Sequence, residues 1–232
     1  DRHLLAQFVR KLLESGTDAI LIDCGSGVLS NLAKYGDYTS IDSVLLTHHH
    51  LDHVDDLFGL ATARWLAGEP ETSVVGPPGT SDLVDGLMDA HEYLKDEELH
   101  LNVREVDVGS FEIAGIEVTA HVTAHSMYTL AYRFGSSFTF GADSEADEDL
   151  IEFSSKSDVL IHDCSFPEGI DVSNHPTPSR LGQALEGHAF DCVYLTHFYP
   201  MTNGQHEQMR NAITEYYDGT VKFAQDGMSI SV

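Results

Sequence analysis

Residues 47–56 read THHHLDHVDD, four histidines and three aspartates in ten positions, directly after the apolar run SVLL at 43–46. In an extended loop leaving a strand, side chains two apart turn toward one point. His48 and His50 therefore converge and His49 faces elsewhere. Asp52 and His53 aim at a neighbouring point as the chain curls into the next helix. Two adjacent half-built metal sites result. Neutral imidazole and carboxylate are zinc donors, and a catalytic site also keeps a position for water. A solvated polar loop has little use for four such donors in six positions.

The remaining donors must come from elsewhere. A His or Asp just past a strand end is where a rigid scaffold would present one. Three positions fit: His125 closes EVTAHVTAH, Asp143 closes SFTFGAD, and His197 closes DCVYLTH. His3, His91, His100 and His188 lack that setting and read as surface or helix-facing residues.

The segments around these positions alternate in character. LLAQFVRKLL (4–13) suits a short helix, DAILIDCGSG a buried strand running into a glycine turn, and VLSNLAKYG a helix closed by glycine. IDSVLLTHHH is a second buried strand. Residues 54–67 read as one helix with Val54, Leu57, Phe58, Ala61 and Leu66 on one side. TSVVGPPGT is a strand and turn, after which Ser81 should cap a helix reaching about His91. Between 101 and 141 the spacing predicts an antiparallel meander. Helices at 146–153, 178–188 and 205–217 then alternate with strands SDVLIHDCS and DCVYLTH, and TVKFAQDGMSISV should close the chain as a hairpin. The whole implies α/β (α+β) architecture, sheets with helices outside them, in a single domain over 1–232.

The totals bound the function. A chain of 232 residues builds one substantial core. The opening segment is amphipathic, without the basic-then-apolar order of a leader, and no apolar stretch approaches the ~20 residues of a membrane span. A soluble, cytoplasmic protein with no membrane partner is expected. Cys24, Cys164 and Cys192 form no CxxC pair and read as buried free thiols. Thirty-eight acidic residues oppose twelve basic ones, a formal net charge of −26 spread along the chain with only five lysines. Such a surface suits high salt, where screening relieves self-repulsion, and it repels nucleic acid at low ionic strength. The high-salt expectation fails if the protein is as stable in dilute buffer as in molar potassium chloride.

The string His48-His49-His50-Leu51-Asp52-His53 after SVLLT resembles the signature of the metallo-β-lactamase superfamily, and the likeness runs along nearly the whole chain. The resemblance implies a four-layer αβ/βα sandwich. It also implies two divalent metal ions, zinc first with manganese or iron as alternatives. In that family pattern His48, His50 and His125 hold one metal, Asp52, His53 and His197 the other, and Asp143 and a hydroxide bridge them. Asp23 matches the aspartate that supports the histidine loop. The family's GTG-like turn before the Asp23 strand has no counterpart, so the first strands are expected to be truncated or altered.

Two further stretches are similar to ribonuclease Z and its phosphodiesterase relatives. SDVLIHDCSFPEG resembles their LLIHEATF segment and HPTPSRLGQAL their H-x-T-x-x-x-A segment, while HSMYTLAYRF resembles the group's third motif. By that resemblance His175 assists the leaving group, oriented by Asp163, which stands where the group has Glu. As a residue before Thr177 and Pro178, His175 also reads as an ordinary loop histidine at a helix start. Asp52 is a candidate proton acceptor as well as a ligand. Only seventeen residues separate His125 from Asp143, leaving no room for the group's tRNA-clasping arm. The implied activity is a binuclear metal-dependent hydrolase of small or cyclic phosphodiesters or RNA-like substrates, with RNA disfavoured. The alternatives are another ester, thioester, lactone or sulfate-ester hydrolase, or a non-catalytic metal-binding member. Dimers are common in the family, which implies a homodimer.

Overall fold

The computed structural model describes residues 8–10, 19–170 and 172–230. Two compact units divide them. The first holds the described residues up to Asp107 together with Glu112–Ile116. The second holds Val108–Phe111 and the described residues from Glu117 onward.

The first unit is built on a five-stranded sheet in sequence order: β1 (Phe8–Arg10), β2 (Ala19–Ile22), β3 (Ile41–Leu45), β4 (Glu71–Gly76) and β5 (His100–Glu105). β2 to β5 run parallel because a helix returns the chain between each pair: α1 (Val28–Tyr35), then α2 (Leu51–Val54) with α3 (Leu57–Leu66), then α4 (Thr80–Ala90). β2 is buried at every residue, as its unbroken AILI run requires of a strand covered on both faces. Its core gathers Leu21, Val44, Leu46, Leu57, Leu60 and Val74.

The second unit carries a seven-stranded sheet. β6 (Gly109–Ile113), β7 (Ile116–Val122), β8 (Leu130–Phe134) and β9 (Phe138–Phe140) come first. β7, β8 and β9 pair antiparallel, joined by a loop at 123–129, which carries His125, and a short turn at 135–137. After β9 the order changes. α5 (Glu148–Ser154), α6 (Pro178–Leu185) and α7 (His206–Thr214) cross over to bring β10 (Val159–Asp163), β11 (Cys192–Thr196) and β12 (Val221–Phe223) in parallel. Leu160, Leu181, Leu185, Val193, Leu195, Met209 and Ile213 fill the core between these helices and strands.

Several sequence expectations are corrected. Residues 8–10 of the expected first helix are instead a strand paired antiparallel to β2, in register Phe8↔Leu21; the rest of that expectation lies outside the described residues. An open sheet edge overrides weak local propensity. Residues 100–105 leave the expected meander and extend the first sheet in parallel beside β4, after the α4 crossover. Leu66 is 73% exposed rather than core-facing, because the expected single helix breaks after Val54 and restarts at Leu57. α4 is capped by Gly79 in the left-handed region, not by Ser81. The Glu105 carboxylate instead accepts from the Gly79 and Ser81 N–H groups, a charge suited to a helix N-terminus. The closing hairpin is, among the described residues, one parallel strand, β12.

Candidate metal centre

In open parallel sheets, functional groups collect beyond the carboxyl ends of the strands. Both units follow that rule. In the first, Asp23 follows β2 and the histidine string follows β3. Asp23 adopts φ 59°, and its buried carboxylate accepts from the Thr47 N–H (2.8 Å) and hydroxyl (2.9 Å) and lies 2.8 Å from His53 Nδ1. The Thr47 hydroxyl, having donated to Asp23, can only accept from His48 Nδ1 at 2.9 Å. Both imidazoles therefore carry the proton on Nδ1 and the lone pair on Nε2, the form that binds a cation. The His48 and His53 rings lie 4.1 Å apart between centroids, and His48 Nε2 is 3.0 Å from His50 Nδ1. Asp52 Oδ2 stands 3.8 Å from His53 Nε2. His48, His50, Asp52 and His53 are thus brought together.

His49 faces away. Its Nε2 donates at 2.9 Å to Thr80 Oγ1, whose own proton goes to the Pro77 carbonyl. Burial pushes this imidazole below its ordinary value against the opposing charges of Glu105 and Asp23, in keeping with a neutral donor. Gly25 is required by close approach: a Cβ there would lie 1.5 Å from the Asp52 carbonyl oxygen. Asp55 and Asp56 serve α1 rather than the metal-facing side of the loop. Asp56 accepts from the Gly27 and Leu29 N–H groups at 2.9 and 3.1 Å, capping α1, and Asp55 accepts from the Ser26 hydroxyl. Cys24, beneath this loop, has its thiol pushed up by burial and then by Asp56, Asp23 and Asp55.

In the second unit Asp143 follows β9, Asp163 ends β10 and His197 follows β11. Donor atoms of His125, Asp143 and His175 lie within 4.8 Å of one another, as do those of Asp163, His175 and His197. Asp143 Oδ2 is 3.5 Å from His197 Nε2 and 3.9 Å from His125 Nε2. His125 Nδ1 donates at 3.0 Å to the Asn174 carbonyl, and Thr123 Oγ1 donates at 2.7 Å to the Asp143 carbonyl. His175 Nδ1 donates at 2.7 Å to Asp163 Oδ2, so Asp in place of the expected Glu still reaches the imidazole.

Ser165, fully buried, joins these groups. Its hydroxyl is 2.8 Å from His197 Nδ1, 3.3 Å from His175 Nδ1 and 3.4 Å from Asp163 Oδ2. With one proton to give, it donates to the carboxylate and accepts from the imidazoles. His197 thereby takes the same Nδ1–H form as His48, His53 and His125. Four imidazoles with outward nitrogens donating and inner nitrogens carrying lone pairs, beside carboxylates, fit divalent cations. Buried His162 places Nδ1 2.8 Å from the Asp163 carbonyl and 3.1 Å from Asp163 Oδ1. Burial pushes this imidazole down, and Asp163 together with Asp143 brings it above its ordinary value. Sequence reasoning missed Ser165, Thr47, Asn174 and His162. Ser165 had one signal, its place two residues beyond Asp163, hence on the same side of an extended chain.

Backbone strain gathers here. Among the described residues, the non-glycine residues with positive φ are Asp23, Ala114, Ala142, Asn174 and His197. All but Ala114, which sits in the turn between β6 and β7, bear on a donor. Such conformations cost about 1–3 kcal/mol each and persist at sites that need them. A cavity of about 260 Å³ adjoins His175, lined by Glu145, Glu148, Arg180 and Gln183 among others.

Residues 8–218 match the model of one protein family, Anti-Pycsar protein Apyc1. The chain belongs to that family. The chain is 25% identical to ribonuclease Z of Mycobacterium bovis over 93% of the chain and 88% of the relative. It is 28% identical to the probable metallo-hydrolase YhfI of Bacillus subtilis over 93% of the chain and 89% of that protein. The crystal structure of YhfI, a metallo-β-lactamase fold protein, superposes with TM-score 0.76 at 26% identity, covering 92% of this chain and 87% of that one. Human tRNase Z, short form, gives TM-score 0.72 at 20% identity, over 97% and 92% of the two chains. The fold is that of the metallo-β-lactamases, and the chain stands among ribonuclease Z-like metallo-hydrolases. None of its helices among the described residues is long and apolar enough to cross a membrane.

Proposed function

We propose that the donors of the two units act as one centre in a metal-dependent phosphodiesterase of small or cyclic phosphodiesters. His48, His50 and His125 would hold one divalent cation, Asp52, His53 and His197 a second, and Asp143 both. When bound, the two cations, zinc from this donor set, would supply charge neutralisation and a nucleophile drawn from water near neutral pH. The chain's own residues supply the rest. Asp52, with its side chain 46% exposed, can take up the proton that water loses. As imidazolium, His175 would present its Nε2–H to the leaving oxygen while Asp163 holds its Nδ1–H, and an alkoxide leaving group needs the Nε2 proton.

The Asp163–His175 contact at 2.7 Å carries the reading, because a proton donor beside the metal ligands serves a poor leaving group. The names of the relatives, ribonuclease Z foremost, support the substrate class. The test is hydrolysis of bis-p-nitrophenyl phosphate together with metal content. His175→Ala should retain the metals and lose turnover of an alkyl phosphodiester by about 10²–10⁴-fold. An unchanged rate, or two bound metals with no diester turned over by the wild type, would overturn the proposal.

A further inference from the structure

His125 sits in the loop between β7 and β8, outside any sheet ladder. Its side chain is only 2% exposed, so its Nδ1–H depends on the protein for an acceptor. That acceptor, the Asn174 carbonyl at 3.0 Å, lies forty-nine residues downstream. Asn174 itself is held at φ 71°, a conformation asparagine tolerates but one the surroundings must maintain. The peptide that carries its carbonyl leads into His175. One backbone conformation therefore aims the acceptor at His125 and sets where the proton donor starts.

Glu145 holds that conformation from the other side. Its Oε1 accepts from the Asn174 N–H at 3.0 Å, a bond strengthened by the carboxylate charge. Its own N–H donates at 2.8 Å to the carbonyl of Ala124, the residue before His125. The contacts close a ring: His125 to Asn174, Asn174 to Glu145, Glu145 to Ala124, and Ala124 to His125 through the chain. Asn174 is pinned at both ends, its N–H by Glu145 and its carbonyl by His125. We propose that Glu145 is a positioning residue, which acts through Asn174 to orient His125 toward its cation. The proposal rests on the reading of His125 as a metal ligand. An exposed carboxylate with a single surface contact would influence little. Inside a closed ring, its loss frees the Asn174 carbonyl to turn and leaves a buried imidazole without a fixed acceptor.

The test is zinc affinity of the full chain, read by competition with a chelator, without turnover. Glu145→Ala should weaken zinc binding about tenfold. Glu145→Gln removes the charge but keeps an oxygen that accepts from the Asn174 N–H, and should restore the wild-type affinity. The visible spectrum of the cobalt-loaded protein, which reports ligand geometry, should shift in the alanine variant and return in the glutamine variant. Glu148→Gln, which removes a neighbouring charge beside the same cavity, should leave affinity and spectrum as in the wild type. Wild-type affinity in Glu145→Ala overturns the proposal, and so does a glutamine variant as weak as the alanine one, since charge and not positioning would then be at work. Equal weakening by Glu148→Gln overturns it for the same reason. A wild type that binds no zinc overturns the ligand reading of His125 and this inference together, whereas tight wild-type binding with an unaltered alanine variant overturns this inference alone.

Discussion

The two units supply their donors in opposite ways. The first packs His48, His50, Asp52 and His53 into one loop, braced by a single carboxylate, Asp23. The second collects His125, Asp143 and His197 from the ends of separate strands and braces them through Asp163, Ser165 and a strained Asn174 carbonyl. A contiguous loop needs one anchor, because the chain itself fixes the spacing of its donors. A dispersed set needs several, since each donor's position depends on a different strand staying in register.

Breaking the first anchor should have the largest effect on stability. Asp23→Ala leaves the Thr47 N–H and His53 Nδ1–H buried without their acceptor, at about 1–3 kcal/mol for each. Thermal unfolding should drop accordingly and bound metal should be lost. Retained metal and an unchanged midpoint would show that the loop holds itself. Gly25→Ala is expected to act on the same loop by pushing the Asp52 backbone away, and circular dichroism melts would report it.

The second brace should yield in graded fashion. Asp163→Asn should reduce turnover of an alkyl diester by about 10²–10⁴-fold, with metal content measured alongside. Ser165→Ala removes the acceptor for His197 Nδ1–H and should weaken metal affinity by about 10–100-fold, read by competition with a chelator. Ser165→Thr, which keeps the hydroxyl, should restore it. An alanine variant of full affinity would mean that Asp163 orients His197 without help. Next comes Asp56→Ala, which uncaps α1 and should cost about 1 kcal/mol with metal content unchanged. The smallest effect on the centre belongs to His49→Gln, which should leave metal stoichiometry as in the wild type by elemental analysis.

Much of this was legible beforehand for a physical reason. The strand-then-donor pattern is local: an apolar run followed at once by His or Asp identifies both the strand and what it presents. That marked His48, His50, Asp52, His53, His125, Asp143 and His197 as candidate donors, and it also set His49 apart. The three cysteines are free and buried, as their apolar settings indicated. Where expectation failed, the deciding contact was remote. β5 joined the first sheet because α4 carried it there, and Asp56 capped a helix 27 residues upstream.

The sequence by itself determined the inventory: which candidate donors exist and which strands carry them. Only the tertiary structure decided the tautomers. Whether an imidazole presents Nε2 depends on what accepts from its Nδ1, and those acceptors lie across the fold for His53, His125 and His197: Asp23 thirty residues upstream, Asn174 forty-nine downstream and Ser165 thirty-two upstream. Hydrogen bonds of that span depend on register and packing, which no short stretch of sequence contains.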